Sequence, residues 1–219
     1  MIKAVIFDFD GLIIDTESPW FSAFSEIYRE HGAILPVETW AQCVGADEKL
    51  FDPYEYLEKC INQPVNRDSL KELSKQKYAT FIKDKSVNPG VVDCLKTAKV
   101  LGLYIGLASS SAREWVEGYL KNLNLLTYFD YICTREQVKK IKPDPELYLT
   151  VLNHFHITGK EAVAFEDSPN GARAAKGAGI YCIIVPNVIT EKLKFDSYDM
   201  RVNSLEDINL AKLITEYST

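Results

Sequence analysis

The chain has 219 residues and a net charge of −6, with 47% hydrophobic and 26% charged residues. The length predicts one to two domains, and the ordinary globular composition excludes a disordered, collagen-like or coiled-coil chain. An excess of acidic side chains repels phosphate backbones and anionic lipid head groups. We therefore expect neither nucleic acid nor a membrane surface as a partner.

The five cysteines are widely spaced and include no Cys-x-x-Cys pair, so no zinc or redox motif is predicted. The first apolar stretch, residues 4–7, is too short for the hydrophobic region of a signal peptide. No apolar run reaches the length of a membrane span. We expect a reducing, cytoplasmic location. The sequence does not determine the oligomeric state, and a monomer is compatible with it.

Short apolar runs, each ended by polar residues, predict strands at residues 4–7, 103–108, 129–133, 162–165 and 180–185. Near-continuous runs of this kind are typical of parallel strands buried on both faces. Helical spacing follows near Ser111, at Pro145 and after the pair Ser168-Pro169. The alternation predicts an α/β fold with a Rossmann-like parallel sheet. Ligands bind such sheets at the carboxyl ends of the strands, where the polar residues stand.

Residues 16–87 do not follow this alternation. Their pattern predicts helices over residues 18–32, 37–44, 53–60 and 68–81. Roughly 70 residues are too many for a simple connection in a compact domain. The sequence therefore predicts a small helical cap domain at 16–87, inserted into a core domain of residues 1–15 and 88–219, with hinges near Asp15 and Val87.

Pairs of acidic residues follow two of the predicted strands. Asp8 and Asp10 follow the first strand, and Glu166 and Asp167 follow the fourth. Side chains alternate along a strand, so Asp8 and Asp10 are expected to point the same way. Carboxylates crowded together need a cation or a shared proton, and hard oxygen ligands suit Mg²⁺. The alternative is that these residues only cap a turn or the next helix.

Two further residues suggest a site for phosphate. Ser109 ends the second predicted strand just before a helix, where a hydroxyl and free backbone N–H groups can bind an anion. A simple N-cap is the alternative, and Ser110 or Ser111 can fill that role. Lys142 lies in a run of lysines that is otherwise typical of a solvated surface. Pro143 sets it apart, because a following proline restricts a residue to extended backbone.

The order of these signals resembles the haloacid dehalogenase superfamily, the aspartate-nucleophile phosphatases. The segments DFDGLIIDTE, LASSSAR, KIKPDPELY and FEDSPNGARAAKGAG are similar to its four motifs in sequence order. The resemblance covers essentially the whole chain. The helical insert resembles the cap of the β-phosphoglucomutase-like branch.

The resemblance implies a role for each acidic residue. Asp8 would be the nucleophile that forms an aspartyl-phosphate. Asp10 would be the general acid and then the general base, and its backbone carbonyl would bind Mg²⁺. Asp8 and Asp167 would be further metal ligands, with Glu166 either a ligand or directly behind one.

The resemblance also implies a small-molecule phosphate ester as the partner. Ser109 and Lys142 would hold its phosphoryl oxygens, and Lys142 would offset the charge of Asp8. Haloacid dehalogenases and phosphonatases lack the second aspartate of the first motif. Its presence here, as Asp10, therefore favours a phosphate ester as the substrate. A non-catalytic receiver domain would be shorter and have no helical insert.

A phosphomutase of the β-phosphoglucomutase type is the closer alternative. The cap loop that grips the sugar phosphate in those enzymes corresponds to residues 45–49, where the arginine is missing. Residues 38–58 contain six acidic residues and one base, Lys49, which suits a bisphosphorylated intermediate poorly. The sequence therefore favours transfer of the phosphoryl group to water.

Overall fold

The computed structural model describes residues 1–41 and 51–217. In this part of the chain the strands are β1 (Ala4–Phe7), β2 (Tyr104–Ala108), β3 (Tyr131–Cys133), β4 (Ala162–Glu166), β5 (Tyr181–Ile184) and β6 (Met200–Arg201). The α-helices are α1 (Glu17–Glu30), α2 (Val37–Trp40), α3 (Pro53–Ile61), α4 (Arg67–Ile82), α5 (Val91–Val100), α6 (Arg113–Asn122), α7 (Glu146–His154), α8 (Pro169–Gly177) and α9 (Leu210–Glu216). The predicted α/β fold is confirmed.

The strands form one parallel sheet in the order β3-β2-β1-β4-β5-β6. Val5 of β1 is in register with Ile105 of β2 and Val163 of β4. The chain order therefore runs outward from β1 in both directions, and the crevice expected at such a switch point lies at the carboxyl ends of β1, β2 and β4.

Alternating residues of β1 face two different hydrophobic clusters. Val5 and Phe7 pack in the cluster that includes α5, α6 and α9, whereas Ala4 and Ile6 pack in the cluster that includes α7 and α8. Burial on both faces explains why the strand sequences are near-continuous apolar runs. The sequence prediction missed β6, α5 and α9.

Helices α1 to α4 share a hydrophobic cluster that includes Phe24, Tyr28 and Leu57, and Ile189, which follows β5, is also buried in it. Helix α1 begins one residue before the predicted start and ends ahead of Gly32, whose φ is +73°. Of the helix predicted at 37–44, α2 is the part that falls within the described residues. No helix within 1–41 and 51–217 is long and apolar enough to cross a membrane.

The two chain crossings between the sheet and these helices lie side by side. Ile14 and Val87 form an isolated antiparallel bridge, and the Lys85 ammonium donates to Asp15 over 2.5 Å. The side-chain amide of Asn88 donates to the carbonyl oxygen of Gly11 over 3.0 Å. The two predicted hinges, near Asp15 and Val87, therefore lie next to each other and are linked by these contacts. The division into two domains stays a prediction.

Candidate active site

The carboxyl end of β1 lies between two other strand ends that carry polar residues. Asp8 follows β1, Ser109 follows β2, and Glu166 and Asp167 stand at the end of β4. Carboxylate oxygens of Asp8, Glu166 and Asp167 all lie within 4.8 Å of one another, and the three residues are buried. The fold thus brings together residues that are 158 positions apart in sequence, from Asp8 to Glu166.

Lys142 places its ammonium group between two of these carboxylates. It donates to Oδ1 of Asp8 and, over 2.6 Å, to Oε1 of Glu166, and its side chain is 2% exposed. Burial lowers the pKa of Lys142, but the two carboxylates outweigh that effect and leave the pKa above its ordinary value. The ammonium therefore stays charged, and the lysine predicted to offset the charge of Asp8 contacts it.

Burial disfavours the ionised form of the carboxyl groups in this cluster. It raises the pKa of Asp8 to about 7, although the Lys142 ammonium opposes the shift. It raises the pKa of Asp167 well above its ordinary range, and the negative charges of Asp8 and Glu166 add to that rise. One ammonium group is thus too little positive charge for these buried carboxyl groups.

Glu166 is held on one side and left open on the other. Its Oε1 accepts hydrogen bonds from Lys142 and, over 2.5 Å, from the Tyr148 hydroxyl. Its buried Oε2 has no hydrogen-bond partner in the part of the chain that the structure describes. A Cβ atom at Gly171 would lie 1.9 Å from Oε2, so the glycine in the first turn of α8 makes room for the carboxylate.

Asp167 lies against a second glycine. Gly11 has a φ of +81°, and a Cβ atom there would lie 2.1 Å from Oδ2 of Asp167. The same oxygen accepts a 2.7 Å hydrogen bond from the side-chain amide of Asn187. The turn after β1 can therefore approach Asp167 closely because residue 11 carries no side chain and adopts a left-handed conformation.

This donor set fits a divalent metal ion. It consists of hard carboxylate oxygens, two of which belong to groups whose pKa burial has raised, and it includes the unpartnered Oε2 of Glu166. A buried polar atom without a partner is costly, and a cation would favour the ionised forms. Oxygen ligands of this kind suit Mg²⁺.

The carboxylate of Asp10 has different surroundings. Its Oδ1 accepts hydrogen bonds from the Thr16 hydroxyl at 3.0 Å and the Trp115 indole N–H at 2.9 Å. Its Oδ2 accepts from the Ser111 hydroxyl at 2.6 Å and the Ser109 hydroxyl at 3.4 Å. The side chain of Asp10 is therefore held by neutral donors and is not part of the three-carboxylate group.

The expectation that Asp8 and Asp10 point the same way rested on strand alternation. Strand β1 ends at Phe7, and Asp10 already pairs with Ile14 across the following turn. Alternation does not extend beyond the end of the strand, so it does not fix the orientation of Asp10 relative to Asp8.

Ser109 is buried at the end of β2, where its hydroxyl oxygen accepts the backbone N–H of Ser111 over 3.0 Å. Helix α6 has Ala112 as its N-cap, without a side-chain cap, so neither Ser110 nor Ser111 has the capping role considered for it. The hydroxyl of Ser110 is buried without a partner among the described residues. Ser109 and Ser111 thus contact Asp10 instead of capping the helix.

Comparison with known proteins decides the family. Residues 5–185 match the family model described as haloacid dehalogenase-like hydrolase. The chain belongs to this family of hydrolases. The match spans all four motifs, and the resemblance found in the sequence is confirmed.

The relatives of the hydrolase include proteins named as phosphatases. YhcW of Bacillus subtilis (strain 168), whose name places it among phosphatases, is 45% identical over 98% of this chain and 97% of that protein. The phosphorylated carbohydrates phosphatase of Thermotoga maritima is 34% identical over 82% of each chain. The structure of CbbY from Rhodobacter sphaeroides in complex with phosphate has a TM-score of 0.76 at 26% identity and covers 97% of this chain and 99% of that one. These relatives support a phosphoric monoester hydrolase.

The sequence prediction missed several residues that hold the site of the hydrolase. Asn187 follows β5, so the strand-end argument that found Glu166 applies to it as well. Tyr148 and Trp115 lie on helices at ordinary core spacing, and nothing in the pattern distinguishes their polar atoms.

Glu17 is a further residue that the sequence did not single out. It is the first residue of α1, directly after the first crossing. Desolvation raises the pKa of Glu17 to about 8, and the negative charges of Asp10, Asp15 and Asp8 add to the shift. The helical segment, residues 16–87, thus contributes an acidic group whose pKa depends on the charges of Asp8 and Asp10.

Proposed function

We propose that the hydrolase is a Mg²⁺-dependent phosphatase that hydrolyses a small-molecule phosphomonoester through an aspartyl-phosphate on Asp8. The observation that carries this proposal is the separation of the two aspartates. Asp8 lies in a buried ionic cluster with Lys142, whereas neutral donors hold Asp10 on the side of Ser109 and Ser111. This separation supports attack by Asp8 and proton transfer by Asp10.

The proposed chemistry has two halves. In the first, a carboxylate oxygen of Asp8 forms a bond to phosphorus as the bond from phosphorus to the ester oxygen breaks, and Asp10 donates a proton to the departing oxygen. In the second, Asp10 accepts a proton from water, which attacks phosphorus and releases Asp8. Lys142 and the hydroxyl of Ser109 bind the phosphoryl oxygens throughout and stabilise their negative charge.

The side chains of Asp8, Glu166 and Asp167 and the backbone carbonyl of Asp10 are the proposed ligands of Mg²⁺. When bound, the ion would supply positive charge that lowers the repulsion between the phosphoryl group and the attacking carboxylate. The unpartnered oxygen of Glu166 and the raised pKa values of Asp8 and Asp167 support this assignment.

We propose that residues 16–87 act as the cap that selects the substrate over a core of residues 1–15 and 88–219. The hydrophobic cluster that helices α1 to α4 share and the adjacent chain crossings support this division. A phosphorylated carbohydrate is the substrate class suggested by the Thermotoga maritima relative. The cytoplasmic location and a monomeric state stay predictions.

The preference for hydrolysis over phosphomutase activity rests on the missing arginine at residues 45–49, which lie outside the described residues. It therefore stays a prediction. To test it, glucose 1-phosphate is incubated with the protein and a bisphosphate primer, and the formation of glucose 6-phosphate and of free phosphate is measured. Conversion to glucose 6-phosphate faster than phosphate release would overturn the preference.

The main test measures p-nitrophenyl phosphate hydrolysis with Mg²⁺ and with EDTA, in the wild-type chain and in Asp8→Asn. The control is Asp68→Asn, which makes the same change at an exposed aspartate of α4. We expect activity that EDTA removes, that Mg²⁺ restores and that Asp8→Asn abolishes, with the control unaffected. Activity that survives both EDTA and Asp8→Asn would contradict the proposal.

A further inference from the structure

Trp115 connects Asp10 to the helical segment. Its indole N–H donates to Oδ1 of Asp10 over 2.9 Å. Its ring lies 5.7 Å from the ring of Tyr78, which belongs to α4. Trp115 itself belongs to α6, which packs on the sheet. One side chain therefore contacts both the carboxylate proposed to transfer protons and a residue of the proposed cap.

Tyr78 makes further contacts with both the helical segment and α6. Its ring stacks on Trp20 of α1 with a centroid distance of 4.1 Å. Its hydroxyl lies 3.2 Å from the hydroxyl of Tyr119 on α6. Only 5% of its surface is exposed. Tyr78 is thus held to α1 by stacking and to α6 by a hydrogen bond.

Two aromatic residues of α6 contact two consecutive residues of the loop after β1, Phe9 and Asp10. Trp115 and Tyr119 are one helical turn apart, so they lie on the same face of α6, and their rings are 4.8 Å apart. Tyr119 packs on Phe9 with a centroid distance of 6.2 Å. Tyr78 contacts both members of this pair, so its position affects the support of Phe9 and of Asp10 together.

We propose that Trp115 is a positioning residue that holds Asp10 in place for proton transfer, and that Tyr78 sets the position of Trp115 when the helical segment is docked. The proposal rests on the function proposed above. Trp115 acts through its hydrogen bond to the carboxylate of Asp10. Loss of the indole N–H leaves Asp10 with its hydroxyl donors but without the donor that Tyr78 contacts.

The test compares two substrates of nearly the same shape. p-Nitrophenyl phosphate releases a stabilised anion that needs little protonation, whereas phenyl phosphate has a poorer leaving group that depends more on a general acid. The value of kcat/KM reports the steps up to departure of the leaving group. The ratio of kcat/KM for the two substrates therefore measures proton transfer by Asp10, independently of substrate recognition.

We expect Trp115→Phe, which retains an aromatic ring, to lower kcat/KM for phenyl phosphate about tenfold more than for p-nitrophenyl phosphate, a fraction of a full general-acid contribution. Trp40→Phe is the matched control. Trp40 is buried, and its indole N–H has no partner among the described residues. This control is expected to leave the ratio unchanged. If Trp115→Phe does not fold, as judged by circular dichroism, Trp115→Leu replaces it.

Tyr78→Leu tests the second half of the proposal. Alone it is expected to shift the ratio in the same direction as Trp115→Phe. Combined with Trp115→Phe it is expected to add no further shift, because Tyr78 acts through Trp115. Equal loss for both substrates in Trp115→Phe, or a full additional shift in the double variant, would overturn the inference while the phosphatase function stands. A wild-type chain without phosphatase activity would overturn both.

Discussion

Asp8 and Asp10 are two residues apart, yet the regions around them differ in kind. The Asp8 region is ionic and buried, with the Lys142 ammonium and the carboxyl groups of Glu166 and Asp167. The carboxylate of Asp10 is instead held by neutral donors, with hydroxyl groups on both oxygens and the Trp115 indole on Oδ1. Environment, not residue type, therefore distinguishes the two proposed roles. A fixed ammonium favours the charged form of the proposed nucleophile, whereas neutral donors orient the carboxyl group that is proposed to exchange a proton.

The largest expected effect separates the two aspartates by their kinetics. Asp8→Asn removes the proposed nucleophile, and by analogy with other covalent enzymes turnover should fall roughly 10⁴-fold or more. Asp10→Asn retains the proposed nucleophile, and turnover should fall roughly 10²- to 10⁴-fold. Rapid mixing of Asp10→Asn with p-nitrophenyl phosphate should show a burst of about one p-nitrophenolate per chain, because water attack on the intermediate is the slow step in that variant. Asp8→Asn should show no burst, because it cannot form the intermediate.

The outcome that contradicts this comparison is a burst in Asp8→Asn, or identical kinetics for the two variants. Either result would mean that the two carboxylates are not assigned as their surroundings indicate. Acid quenching followed by mass spectrometry gives an independent readout, because a phosphoryl adduct is expected on the peptide that contains Asp8.

The next effect concerns the stability of the ionic region. Lys142→Met leaves Asp8 and Glu166 buried without their ammonium partner, and removal of one partner of a buried ion pair costs about 3–5 kcal/mol. Urea unfolding should show a decrease of this size in the free energy of unfolding. The double variant Lys142→Met/Glu166→Gln should recover part of it, because one of the two buried carboxylates is then neutral.

The matched control for this prediction is Lys139→Met, at an exposed lysine three residues earlier in the same loop. Surface substitutions usually change stability by less than about 0.5 kcal/mol. If Lys142→Met and Lys139→Met lower the free energy of unfolding equally, the Asp8 region is not the ionic cluster described above.

Two glycines in helices provide a sharper test of the space around Glu166. A Cβ atom at Gly171 of α8 would lie 1.9 Å from Oε2 of Glu166, whereas one at Gly118 of α6 would have no atom within 4 Å. Gly171→Ala should cost about 1–3 kcal/mol through overpacking. Gly118→Ala should stabilise by about 0.5–1 kcal/mol through reduced backbone entropy. Thermal unfolding of the two variants should therefore shift in opposite directions, and a shift in the same direction would contradict the packing around Glu166.

The sheet could be predicted because its signal is local. Each strand that is buried on both faces is a continuous apolar run, and the polar residue that ends it marks the site. This is how Asp8, Ser109 and Glu166 were found from sequence. Strand β6 has two residues, of which Met200 is half-buried and Arg201 is exposed, so its sequence carries no such run.

The hydrogen-bond partners of Asp10 could not be predicted because they depend on packing between elements. Trp115 is on the apolar face of α6, and the same spacing is typical of a residue that only fills the core. Thr16 lies in the crossing to the helical segment, where its hydroxyl reaches Asp10 across the turn. Periodicity gives the face of a helix but not the atom that a side chain on that face will contact.

The smallest expected effect concerns a single hydrogen bond to the carboxylate of Asp10. Thr16→Val replaces the buried hydroxyl that donates to Oδ1 of Asp10 with a methyl group of similar size. The loss of one hydrogen bond costs about 0.5–1.5 kcal/mol, well below the cost expected at Lys142. Urea unfolding of Thr16→Val should show this decrease, whereas Thr215→Val, at an exposed hydroxyl bonded within α9, should stay within about 0.5 kcal/mol of the wild type. A loss at Thr16 as large as that at Lys142 would show that the Asp10 region is as strongly coupled as the ionic one, because several neutral donors would then be failing together.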